Sequence, residues 1–345
     1  MSDKRYLGNI ITPNPTAPAG PYENDAASGV WSLEEAFTYT KAGLWPIAGN
    51  AVERAVFSRG NASATLDYVN IPTTGNAANF GDLTITRYYG AAASSSTRGV
   101  FAGGTNSGAP DSNVIEFIVL PSLGNASDFG DLSGNRMAMG SCGNGTRGVF
   151  AGGAVPSPGN YVNTIEFVTI ASAGNTTDFG DLLESVGDLT GTASTTRGLF
   201  AGGRDAASQY KNVIAYITIA SAGNATDFGD LTEQSYGLAA CSSATRSIFG
   251  GGTINQSTTI NTISYVTTAS TGNATDFGDL SGTGRWFLGA AAGSTRGVFA
   301  GGWIVNTIDY VTIASTGNAT DFGDLTGIAI ANSNAAVSNA HGGLS

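Results

Sequence analysis

Histidine, cysteine and charge are what this chain has least of. Among 345 residues there are one histidine, two cysteines and three methionines, and only 12% are Asp, Glu, Lys or Arg. The one histidine, His341, stands in a Gly-rich tail. A single imidazole there excludes a multi-histidine metal centre and leaves a Ser-His-Asp arrangement without its base. Cys142 and Cys241 fall in runs of small residues and read as buried thiols, not as a disulfide framework. Long apolar runs are absent too, so no membrane span is expected. The start, MSDKRYLGNIITPNP, lacks the apolar centre of a secretory leader, so use without export is expected. A net charge of −11 argues against nucleic acid or an anionic membrane as partner.

What the chain has in excess is glycine, 50 residues of it, and repetition. A Gly-Asn pair followed by Asp-Phe-Gly-Asp-Leu occurs six times, at Gly75–Leu83 (as GNAANFGDL), Gly124–Leu132, Gly174–Leu182, Gly223–Leu231, Gly272–Leu280 and Gly317–Leu325. The last Asp of each copy falls at 82, 131, 181, 230, 279 and 324, in steps of 49, 50, 49, 49 and 45. A fixed period of this size means one supersecondary unit stacked on itself.

Three further elements share the period. One is TRGVFAGG or a close variant, at Thr97, Thr146, Thr196, Thr245 and Thr295. Another is a β-branched and aromatic run such as NTIEFVTI at Asn163–Ile170. The last precedes each Thr-Arg and is almost wholly Ala, Gly and Ser, as in YGAAASSS at Tyr89–Ser96. Composition and flanking Gly and Asn make all of them strands. Four antiparallel strands per repeat form a propeller blade, with the small-residue strand innermost, where blades converge on the axis. The third strand, read as apolar on both faces, fits between neighbouring blades.

The repeats begin in mid-blade, at Arg54-Ala55-Val56-Phe57, with no small-residue strand before them. That strand appears instead at the other end, within Ile328–Asn339. The expected fold is therefore all-β: a six-bladed propeller over residues 51–345, its C-terminal strand completing the first blade beside Val56. At this point the pattern resembles the kelch repeat: Gly103-Gly104 supplies its double Gly, Phe117 its aromatic and Phe129 with Leu132 its fourth-strand pair. Phe stands where kelch blades carry Trp, and the first blade has Arg59-Gly60 in place of the double Gly. The resemblance implies an architecture shared by enzymes, scaffolds and adhesins, and so no function by itself.

Residues 1–50 stand outside the repeat and read as a docking arm. Ile10–Tyr22 should be extended. Ser32 and Glu35 form a capping box for one short helix to about Lys41, stopped by Gly43. Trp31, Phe37, Leu44 and Trp45 would give the arm an apolar face. The stretch SGVWSLEEAFTYTKAGLWP at Ser28–Pro46 resembles segments of virion structural proteins of tailed phages, marine ones in particular. That resemblance implies a particle component, with tail-fibre, tail-associated and capsid-surface roles open, assembled in the host cytoplasm. The simpler alternative is an arm packed on its own propeller.

Few residues are equipped for catalysis. Arg98, Arg147, Arg197, Arg246 and Arg296 recur in register, and a structural role repeats where a catalytic one breaks symmetry. The expected partners are the Asp residues opening the fourth strands (Arg98 with Asp128, Arg147 with Asp178, Arg296 with Asp321) or loop carbonyls. The Asp-Phe-Gly-Asp turns could suggest calcium. Turn chemistry is simpler, with Gly-Asn supplying positive φ and Asp a cap. The Asn-Ala-Thr triplets match glycosylation sequons but read as turns.

Recognition is expected on the loops between second and third strands. They hold eight, nine, eight and eight residues in blades 2 to 5 but three in blades 1 and 6, so one side of that face is raised. The raised rim carries Asn106, Asp111, Tyr161, Arg204, Asp205, Gln209, Tyr210, Lys211, Asn255 and Gln256; drift in loops is the plain alternative. Together these features point to a non-enzymatic virion component without cofactor or metal. Other virion proteins would be its partners through residues 1–50, and a host glycan or receptor through the rim. Self-association stays open. The alternatives are an intracellular kelch-type interaction scaffold outside any virion and, less favoured for want of histidine, a carbohydrate-active enzyme.

Overall fold

The computed structural model describes residues 5–7, 30–32, 34, 38, 53–60, 63–106, 111–156, 160–329 and 335–340. Residues 1–52 and 53–345 form two compact units. In the first, strands Arg5–Leu7 and Val30–Ser32 pair antiparallel with Tyr6 opposite Trp31. Glu34 and Thr38 are helical, and the Thr38 hydroxyl donates to the Glu34 carbonyl at 2.8 Å. Glu35, Phe37, Leu44, Trp45 and the stretch 10–22 lie outside the described residues.

The second unit is a six-bladed β-propeller of four-stranded antiparallel sheets. Blade 2 has the typical form: first strand Ala91–Ser94, second Arg98–Ala102, third Val114–Val119 and fourth Ser127–Asp131. Blade 1 takes its first strand, Ala336–Ser338, from the C-terminal region, with Val337 opposite Val56. This strand is shorter than the run 328–339 suggests. Ile328 and Ala329 belong instead to the long fourth strand of blade 6, Thr320–Ala329, where Ala329 pairs with Val305.

Small residues are required near the axis because each first strand packs on the second strand of the next blade. A Cβ added at Gly99 would come 2.7 Å from Val337, and one at Gly148 would come 3.0 Å from Ala93. Cys142 and Cys241 occupy the same register, against Gly198 and Gly297. Both are free, buried thiols, and burial pushes the Cys241 thiol up to about 12. Farther out, the second-strand phenylalanines, Phe57, Phe101, Phe150, Phe200, Phe249 and Phe299, are fully buried between blades.

The Gly-Asn pairs turn out to be joints between blades. The Gly124 N–H donates to the Phe80 carbonyl of blade 1 at 3.0 Å, and Asn125 Oδ1 accepts the Asp82 N–H at 3.0 Å. The same Asn-to-Asp bond recurs from Asn175, Asn224, Asn273 and Asn318 to the preceding blade, and Asn76 makes it to Asp324 of blade 6. The Gly of each Asp-Phe-Gly-Asp permits this approach: a Cβ on Gly81 would lie 2.3 Å from the Gly124 carbonyl oxygen. The Gly-Asn glycines themselves have φ of +156 to +158° where given, a backbone that L side chains rarely adopt, in line with the turn reading. With the Asn oxygens bonded into the joints, the outer edge of each fourth strand is covered.

The repeated arginines also work between blades, which corrects the expected pairing with Asp128, Asp178 and Asp321. Arg98 donates to the carbonyls of Ile170 and Ala171 in blade 3, at 3.2 and 2.8 Å. Arg147, Arg197 and Arg246 reach the next blade in the same way, Arg296 reaches Ile71 and Pro72 of blade 1, and Arg54 reaches Leu120. Each guanidinium lies over the third-strand aromatic of its own blade, 4.4–4.8 Å from the centroid. The turn end of the blade offers carbonyls at the right height, and those carbonyls need a donor more than the exposed Asp does.

Nor is the third strand apolar throughout. Glu116, Glu166 and Asp309 are buried in blades 2, 3 and 6 and pair with buried Arg87, Arg136 and Arg285. Each carboxylate also accepts the N–H of the residue after the preceding blade's GDL: Thr84, Ser133 or Ser281. In blade 1, Asp67 takes that bond from Thr326 of blade 6. Blade 4 has Leu183, Val186 and Ala215 at these three positions, and blade 5 has Thr232, Ser235 and Ser264. Where the ion pair is missing, small cavities of about 20 and 10 Å³ remain.

Candidate functional site

The first strands surround an axial cavity of about 140 Å³. At one end, blades 2 to 6 form a collar along it. Tyr89, Ala138, Asp188, Gly237 and Phe287 occupy the same place in blades 2 to 6, just before the small-residue strand, and all have φ between +56 and +66°. From the second on, each backbone N–H donates to its predecessor's carbonyl: Ala138 to Tyr89, Asp188 to Ala138, Gly237 to Asp188 and Phe287 to Gly237, at 2.6–3.0 Å. These bonds hold non-glycine residues in a conformation that L side chains rarely adopt.

The collar and the positions beside it are where the repeat stops repeating. The residues just outside are Tyr88, Met137, Gly187, Tyr236 and Trp286. They are bridged to the bases of the loops between second and third strands, at Thr105, Ala154, Arg204 and Thr253, while the Trp303 N–H donates to the Trp286 carbonyl in blade 6. Taken with the collar residue that follows, each blade brings a different pair to this end of the axis: Tyr-Tyr, Met-Ala, Gly-Asp, Tyr-Gly and Trp-Phe.

Two kinds of side chain gather there. The polar group centres on Asp188, 6% exposed, whose Oδ2 accepts from Arg204 Nε at 2.7 Å. Oδ1 receives no hydrogen bond from a described residue. Burial raises the Asp188 carboxyl above the usual Asp range, and Arg204 only partly offsets this. The phenols of Tyr89, Tyr161 and Tyr236 surround the pair, each pushed up mainly by burial. Tyr161 lies over Gly187, where a Cβ would come 2.3 Å from its ring.

The aromatic group is continuous with the polar one. The Arg204 guanidinium sits 4.8 Å from the centroid of Tyr236, which stacks on Tyr210 at 5.0 Å. Tyr236 meets Trp286 edge-on at 5.7 Å; Trp286 stacks on Phe287 at 4.7 Å and leans on Trp303 at 5.5 Å. Phe287 meets Tyr89 edge-on at 5.2 Å. Trp303 is 43% exposed, and its neighbour Ile304 is exposed with φ +61°. A β-branched residue there is a strained outlier, so the short blade 6 loop is held in an uncommon shape.

Of the rim residues read from the sequence, the structure brings Tyr161, Arg204 and Tyr210 into this cluster. Asp205 and Lys211 flank it in a structural network. Lys211 bridges Glu184 and Asp205 at 2.8 and 3.0 Å, while Asp205 Oδ1 accepts the N–H groups of Ala207 and Gln209. Asn255 caps the tip of its own hairpin through the N–H groups of Ser257 and Thr258, leaving Gln256 exposed at the turn. Asn106 and Asp111 lie on the blade 2 loop without a place in the cluster. Sequence reasoning missed Tyr89, Asp188, Tyr236, Trp286, Phe287 and Trp303. The signal was present: aligned on Thr-Arg, the position eight residues upstream is Tyr89, Ala138, Asp188, Gly237 or Phe287, different in each of blades 2 to 6.

No protein-family model and no curated protein matches this chain.

Proposed function

We propose that this chain is a non-enzymatic binding protein, a structural component of a phage particle whose propeller presents the collar face to a glycan or protein. The observation that carries the binding part is the confinement of asymmetry. Joints, repeated arginines and the second-strand phenylalanines recur around the ring, and the buried ion pairs vary only inside the blades, whereas Tyr89, Asp188, Arg204, Tyr236, Trp286 and Trp303 break the repeat together around one end of the axis. Drift alone would scatter such differences over the surface.

A binding role suits the chemistry better than catalysis. Glycoside hydrolysis uses two cooperating carboxylates. Here Asp188 is the one buried carboxylate of the cluster, and the oxygens of Asp205 are taken up by Ala207, Gln209 and Lys211. The particle assignment and the kelch-like ancestry rest on the resemblances at residues 28–46 and 51–345, and the arm would attach the propeller to other virion proteins. The test is deletion of residues 1–50 in the phage genome. Particles lacking the chain, while the soluble propeller still adheres to host cells, support the reading; unchanged incorporation rejects the arm's role.

A further inference from the structure

Resting on that binding role, we infer that the collar is a subsite for a neutral saccharide, with Asp188 and Arg204 taking adjacent hydroxyls and Trp303 taking a pyranose face. Hydroxyls on neighbouring ring carbons act as donor and acceptor at once. They need a fixed acceptor beside fixed donors, and Asp188 Oδ1 is an acceptor without a partner among the described residues. Arg204 holds the donor side. Its Nε is committed to Asp188, at 2.7 Å, and its Cζ lies 4.8 Å from the Tyr236 centroid, two anchors that restrict where the terminal N–H₂ groups point. Its side chain is 27% exposed, so a ligand can reach those groups from outside.

The aromatic side supplies the second half of a sugar site. Trp303 presents an indole to solvent next to Trp286, tilted by 37°, on the only blade whose double-Gly loop is cut to three residues among blades 2 to 6. The short loop leaves the ring uncovered, and its φ of +61° at Ile304 keeps it from folding away. Aromatic residues with one apolar face and a nearby polar group are suited to ligands that have one apolar and one polar side.

Charge selects against an anionic sugar. The Arg204 cation is already neutralised by Asp188, Asp205 follows it in the same loop, and the chain carries a net charge of −11. A ligand carboxylate would approach Oδ1 of Asp188 and be repelled. A neutral ligand does not meet that penalty, and the half-buried Lys211 that could have attracted an anion is held by Glu184 and Asp205.

The experiment is saturation-transfer NMR and calorimetry on the full chain, with glucose, galactose, mannose and N-acetylglucosamine and their disaccharides as probes. Glucuronic and N-acetylneuraminic acids form the anionic arm. Trp303→Ala removes an exposed ring and Arg204→Lys keeps charge while losing the fork, so both should fold; circular dichroism checks this. The expected result is saturable binding of at least one neutral probe, weakened at least tenfold by each variant and unchanged by Gln256→Ala. Absence of neutral-sugar binding, preference for the acids, or equal binding by Trp303→Ala and Arg204→Lys would overturn the inference. If the wild-type chain adheres to host cells and both variants adhere equally, the site assignment fails while the adhesive role stands. If the wild-type chain does not adhere at all, that role fails as well.

Discussion

Asn76 of blade 1 accepts the backbone N–H of Asp324 of blade 6 at 3.1 Å. This is the last of the six equivalent joints, and Asp67 with Thr326 and Val337 beside Val56 seal the same seam. Asn76→Ala should lower stability by about 1 kcal/mol, the usual worth of one such bond. Its local signature is faster amide exchange at Asp324. Truncation before residue 335 removes the inner strand of blade 1 and should abolish the single cooperative transition. Retention of that transition would show that closure is dispensable.

The buried ion pairs allow a test designed by the repeat itself. Glu166→Ala strands the Arg136 charge and should cost about 3–5 kcal/mol in urea unfolding. Ser133→Leu, Arg136→Val and Glu166→Ala together reproduce the blade 4 set of Leu183, Val186 and Ala215. Exchanging a buried pair for apolar groups is often neutral, so the triple variant should recover most of the loss. A triple variant no better than Glu166→Ala would mean that the local backbone of blade 3 demands the pair.

Arg246 donates to the carbonyls of Ile313 and Ala314 at 3.1 and 2.9 Å while lying over Tyr265. Both bonds come from Nη1, and a lysine ammonium, compact and strongly hydrated, lacks the flat delocalised group that rests on the ring while its edge donates. Arg246→Lys should therefore lose about 1–2 kcal/mol. Asp276→Ala, at the partner expected from the sequence, should stay within about 0.5 kcal/mol of wild type. The reverse order in thermal unfolding would restore the Arg–Asp pairing.

Asp188 gives a pH signature. Its carboxyl, faced by Arg204, Tyr89, Tyr161 and Tyr236, titrates above the ordinary value of 3.8 because of burial. Between that value and the folded one, the native chain keeps a proton that the unfolded chain has released. Stability contributed by this group is thus full below the ordinary value and declines as pH rises through the folded value. Asp188→Asn should remove this decline and be no less stable than wild type at neutral pH. A less stable variant at neutral pH would make the carboxylate a structural asset and not a group kept for a ligand.

The blade count and closure were legible in the sequence because the repeated residues are those that bond one blade to the next. Asn76 to Asn318 and Gly81 to Gly323 recur for a geometric reason, so their spacing reports the ring. Sideways geometry was not legible. Arg98 was matched to Asp128 of its own blade because linear patterns show what one repeat contains, not which neighbour a long side chain reaches. Glu116 and Glu166 were read as part of an apolar strand, since their arginine partners lie upstream of a different element. The collar was missed for a related reason. Aligning constant elements draws the eye from Tyr89, Asp188 and Phe287, which share a backbone conformation and nothing else.

Electron cryo-microscopy of phage particles carrying this chain tests the proposal most directly. The account expects a six-bladed density on the particle, anchored through residues 1–50, with Arg204 and Trp303 turned toward solvent. Particles without that density, or a propeller seated on the particle by its collar face, would contradict it.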